Sequence, residues 1–83
     1  MWKQNTKYVL DAALYSEFCL KEEGICHKLG FLEFTVDVVD RDGAVVLITV
    51  DGKKMKPCDF ISKGAILVDC IFVKSESKYF LEV

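Results

Sequence analysis

The residues that could do chemistry in this chain are few, and their spacing does not assemble them. Cys26 and His27 are adjacent, and His27 is the single histidine. A thiol–imidazole pair needs both groups within hydrogen-bond reach and a third group to orient the imidazole. Neighbours in an extended segment point apart, and no Asn or Asp stands where it would orient His27. Cys19, Cys26, His27, Cys58 and Cys70 have the ligand softness that zinc prefers. Structural zinc sites, however, draw their ligands as close pairs of the Cys-x2-Cys kind, and no such pair occurs here. The five glycines are scattered singly, so there is no glycine-rich phosphate loop. No catalytic set, metal site or cofactor is expected.

Asp69 interrupts an apolar run, between Ile66-Leu67-Val68 and Cys70-Ile71-Phe72-Val73. An unpaired carboxylate buried there would be costly, so Asp69 reads as the solvent side of a strand. Asp40, Asp42, Asp51 and Glu76 fall at turns, where short acidic side chains set backbone geometry. Hydrolytic chemistry of the two-carboxylate kind would need a pair across one cleft.

A basic cluster is the remaining chemical signal. Lys53, Lys54 and Lys56 surround a hairpin tip, with Phe60 and Lys63 just beyond. Such lysines can meet phosphates while an aromatic ring stacks on a base. The same residues at an exposed tip also block edge-to-edge strand pairing. Arg41 is the only arginine, and base recognition leans on arginine for bidentate contacts. Nucleic-acid binding is therefore the alternative expectation and not the first.

These residues must be positioned by one domain, since 83 residues leave no room for a second core. The predicted fold class is α+β: one N-terminal helix followed by a four- to five-stranded antiparallel meander. Thr6 or Asn5 can cap a helix over residues 8–20, and Gly24 can stop it. At helical spacing its apolar residues form two stripes. The broad one holds Tyr8, Val9, Ala12, Ala13, Tyr15, Cys19 and Leu20; the narrow one holds Leu10, Leu14 and Phe18. A helix lying on a sheet needs only one stripe.

From Phe31 the period becomes two, with Leu32, Phe34, Val36 and Val38 against Glu33, Thr35 and Asp37. Asp40-Arg41-Asp42-Gly43 and Asp51-Gly52 are turn signals that bracket a strand over residues 44–50. A short strand follows over residues 53–56 and is ended by Pro57. Residues 65–73 and 78–83 read as two further strands. Strands apolar on both faces favour a curled sheet or an SH3- or Sm-like small barrel, packed on the helix. The order of elements is similar in outline to that of Sm-like proteins, without a match to their RNA-binding loops.

The net charge of −2 argues against a general nucleic-acid binder. The N-terminal residues lack the pattern of a secretion signal, and no apolar run is long enough to cross a bilayer. The cysteines are then expected as thiols in a reducing cytoplasm. Hydrophobic residues make up 52% of a chain too small to hide them all. The expected function is a non-enzymatic protein-interaction module of inhibitor or adaptor type. It would bind another protein or a second copy of itself through Leu10, Leu14, Phe18 and Tyr15.

Overall fold

A computed structural model describes residues 1–21, 29, 31–60 and 70–83, the side chains of residues 19 and 21 excepted. The expected strand of residues 65–73 lies largely outside this set, as do Asp69, His27 and Lys63.

The chain opens with a strand and not a helix. β1, Thr6–Leu10, has Tyr8 and Leu10 buried and Lys7 exposed, the two-residue period of a half-buried strand. Asp11 ends it. Its carboxylate Oδ1 accepts from the Ala13 N–H at 3.0 Å, starting a 3-10 turn over Ala12–Leu14 that runs into α1, Tyr15–Lys21. The expected helix of residues 8–20 is thus split at Asp11. Tyr8 and Val9 are residue types that favour a pleated surface, and a short apolar run does not reveal its period.

β2 (Phe34–Val39), β3 (Val45–Val50) and β4 (Lys53–Met55) form an antiparallel meander. β5, Phe80–Glu82, returns to pair with β1, giving the sheet order β4-β3-β2-β1-β5. Both hairpin turns are built as the sequence implies. Asp40 Oδ1 accepts from the N–H groups of Asp42 and Ala44, each at 2.9 Å, and Gly43 takes φ +83°. Asp51 and Gly52 both have positive φ, 51° and 76°, as a two-residue turn matched to the strand twist demands. A Cβ at Gly52 would meet nothing within 4 Å, so the cost of Gly52→Ala is purely conformational. We expect it to lower stability by about 1–2 kcal/mol, read as a shift in the denaturation midpoint with an unchanged slope.

One expected alternation is broken by a bulge. The β2–β3 register slips between Val36 and Val38 and again between Val38 and Val39. A bulge re-aims the residues that follow it, and Val38 is left 40% exposed instead of facing the core. The last strand is also shorter than expected, because Lys74–Tyr79 forms a 3-10 helix. Its first turn is tied by Glu76, whose Oε1 accepts from the Val73 N–H at 2.8 Å.

The core is built of aromatic rings. Trp2 lies edge-on to Tyr8, with centroids 4.9 Å apart, and stacks on Phe72 at 5.1 Å. Phe34, Phe80, Phe18 and Tyr79 complete the cluster, filled in by Val36, Val45 and Ile48. An arm of residues 1–5 reaches this cluster over the sheet: Trp2 Nε1 donates to the Val73 carbonyl at 3.0 Å and Asn5 N to the Val36 carbonyl at 2.7 Å.

Ring positions also show that the sheet curls. Phe72 bridges Val45 on the side of β3 away from β2, whereas Phe80 belongs to β5 at the opposite margin. In a flat sheet four strand spacings, about 19 Å, would separate these margins. The two rings are 4.9 Å apart. Among the described residues β4 and β5 do not pair, so the sheet is curled without being closed.

Candidate functional site

The residues expected to bind a partner are mostly turned inward. Leu10 sits on β1 and is 3% exposed; Phe18 sits on α1 and is 1% exposed. Phe18 meets the rings of Phe80, Tyr79 and Phe72 at 5.2, 5.5 and 6.2 Å. Leu14 and Tyr15 are half-buried and pack against the same core. The apolar stripe Leu10/Leu14/Phe18 therefore does not exist as a surface. Leu10 belongs to a strand, and the chain's own aromatic residues cover Phe18. Tyr15 also stacks on half-exposed Phe31, with centroids 4.8 Å apart.

The lysine cluster is dispersed as well. Lys53 pairs with inward-facing Val50, whereas Lys54 pairs with Thr49 on the outer face, so consecutive lysines leave the sheet on opposite sides. Lys54 Nζ is 3.5 Å from Asp37 Oδ2, an oxygen that also accepts from the Thr49 hydroxyl. Lys56 is exposed and its backbone N–H donates to Asp59 Oδ2 at 2.7 Å. Phe60, in the 3-10 turn Pro57–Phe60, is half-buried against the core and does not offer a free ring face beside these lysines.

What the fold does expose is the outer face of the sheet next to β5. Val9 and Leu81 are opposite each other, on the side away from buried Tyr8 and Leu10. Leu81 is 52% exposed and Val83, two residues on, 64%. Val83 lies opposite Lys7, bonded through its N–H to the Lys7 carbonyl at 2.9 Å. Lys7 in turn borders a depression of about 430 Å³ shared with Phe31, Leu32, Glu33 and Thr35. Phe31 and Leu32 are 52% and 45% exposed. Two exposed apolar pairs, Leu81 with Val83 on β5 and Phe31 with Leu32 before β2, thus stand on either side of a depression whose own lining, Lys7, Glu33, Thr35, Thr49 and Asp51, is mainly polar. Leu81 and Val83 share this face because Phe80, between Tyr79 and Leu81, enters the core.

One ion pair ties the N-terminal arm to β5 on the opposite face, where Glu82 lies beside Tyr8. Lys3 Nζ is 3.0 Å from Glu82 Oε1. The hydrogen bond to Glu82, and then its negative charge, raise the Lys3 ammonium above its usual range. Both groups are largely exposed, so the pair orients the arm more than it stabilises the fold.

Among the described residues no three His, Cys, Asp or Glu side chains come together as a metal site. Cys58 is an exposed thiol and Cys70 is half-buried; Cys26 and His27 lie outside the described set. No helix among those residues is long and apolar enough to cross a membrane. The chain matches no protein-family model, no characterised protein and no solved structure.

Proposed function

We propose that this chain is a small, non-enzymatic, cytoplasmic protein-interaction module with the architecture of a curled SH3- or Sm-like small barrel. The strand order, the return of β5 beside β1 and the nearness of Phe72 to Phe80 support that architecture. The observation that carries the function is the exposure of two apolar pairs, Leu81 with Val83 and Phe31 with Leu32, each residue roughly half exposed or more. Paired large apolar side chains left exposed on so small a domain support a place where another protein binds. Aromatic anchors such as Phe31, held in place by the Tyr15 stack, supply most of the affinity of such surfaces. The binding residues are therefore those of β5 and of the segment before β2, and not the Leu10/Leu14/Phe18 stripe. The nucleic-acid alternative draws less support, because Lys53 and Lys54 diverge and Asp37 holds Lys54.

The test begins with affinity capture from native cells, followed by titration calorimetry with the purified partner. Phe31→Asp and Leu32→Asp should each weaken binding about tenfold or more while leaving the denaturation midpoint nearly unchanged. Binding that survives both changes would remove the Phe31/Leu32 segment from the account.

A further inference from the structure

Resting on that interaction role, we propose that the edge of β5 that has no neighbouring strand among the described residues pairs with β5 of a second copy of this chain, antiparallel and centred on Leu81. Two hydrogen bonds fix which backbone groups face outward. The Val83 N–H donates to the Lys7 carbonyl and the Asp11 N–H to the Tyr79 carbonyl, both at 2.9 Å. Residues 79, 81 and 83 therefore spend their backbone groups on β1, and Phe80 and Glu82 turn theirs the other way. The Phe80 N–H is taken by the Ser77 carbonyl at the end of the 3-10 helix. What the edge offers is the Glu82 N–H and the carbonyls of Phe80 and Glu82.

That set is self-complementary. In an antiparallel pair centred on Leu81, Phe80 of one copy lies opposite Glu82 of the other. Each Glu82 N–H then meets the Phe80 carbonyl across the two-fold axis, so the interface repeats itself by symmetry. A register centred on Glu82 would instead set two carboxylates directly opposite, which is unfavourable. On the outer face the two Leu81 side chains meet as a non-hydrogen-bonded pair, with Cα atoms about 4.5 Å apart. Val9 and Val83 of both copies flank them, which covers the exposed Leu81 and Val83 side chains of β5.

The other margin of the sheet lacks these properties. β4 carries the exposed Lys53 and Lys54, and lysines on an edge repel a like strand. Among the described residues β5 is the margin without such a guard, apart from Glu82, which Lys3 neutralises. Pairing through three residues buries less than the roughly 1,200 Å² of a stable complex, so the dimer should be weak and concentration-dependent.

Sedimentation equilibrium of the whole chain from about 10 μM to about 1 mM tests the association, and engineered thiols test the register. Leu81→Cys should link copies rapidly on mild oxidation, because a 4.5 Å Cα separation lies within disulfide range. Val83→Cys should not, because the two sites would be about 14 Å apart along the strands. Mapping the linked peptide by mass spectrometry separates this bond from any formed by native cysteines. Leu81→Lys should weaken dimerisation about tenfold or more, and Val38→Lys, on an exposed site of β2, should leave it unchanged.

A dimer that links equally well at both positions, or that ignores Leu81→Lys, overturns the proposal. So does a strictly monomeric chain at the highest concentration. A monomer that still binds a partner through Phe31 leaves the interaction role standing, whereas loss of both removes the two together.

Discussion

Trp2→Ala should remove about 3–5 kcal/mol of stability, a large part of the roughly 5–15 kcal/mol that holds a small domain together. The indole is 4% exposed and touches four aromatic partners, Tyr8, Phe34, Phe72 and Phe80. Nothing else in the arm of residues 1–5 has the volume to fill that space. The loss divides into ring contacts and one hydrogen bond, and Trp2→Phe separates them. Phenylalanine keeps most of the contact but loses the bond from Nε1 to the Val73 carbonyl, for a cost of about 1 kcal/mol on top of any misfit. Chemical denaturation followed by circular dichroism measures both variants, since the single tryptophan is gone in each. A Trp2→Ala protein with an unchanged midpoint would show that the arm does not plug the core.

Phe18→Ala separates the two roles that residue could have. As a buried ring 5.2 Å from Phe80 and 5.5 Å from Tyr79, it should cost about 3–5 kcal/mol when truncated. As a surface anchor for a partner, it would leave the midpoint unmoved and change only binding. The same contrast holds for Leu10→Ala, with an expected loss of about 2–5 kcal/mol. A near-neutral result at both positions would return Leu10 and Phe18 to the surface and undo the ring cluster.

What the sequence disclosed was local. Asp40, Gly43, Asp51 and Gly52 carry their turns in their own side chains or in their freedom at positive φ, and the meander from β2 to β4 follows from them. Pro57 ended β4 for an equally local reason, the missing N–H. The helix assigned to residues 8–20 failed because Tyr8-Val9-Leu10 is short and continuously apolar, which fits either period. The choice is made by distant partners: Phe34 and Val36 on one side of β1, Leu81 and Phe80 on the other. The candidate site suffered in the same way. Leu10 and Phe18 looked surplus only because the rings that cover them lie more than fifty residues further on. The outward turn of Leu81 likewise depends on Phe80 entering a core that Trp2 helps to build.

The distance between Trp2 and the residues it packs against sets a schedule for folding during synthesis. The bond from its indole to Val73 spans 71 residues, so the ring cluster cannot close until the chain beyond Phe72 has left the ribosome. At about 5–20 residues per second, Tyr8, Phe18 and Phe34 then wait several seconds in water for their partners. Contacts of such long range also fold slowly once the chain is complete. The greatest hazard to this protein in the cell is therefore a matter of timing. In that interval its stickiest surface is the half-made core, with Tyr8, Phe18 and Phe34 exposed to whatever chain is near.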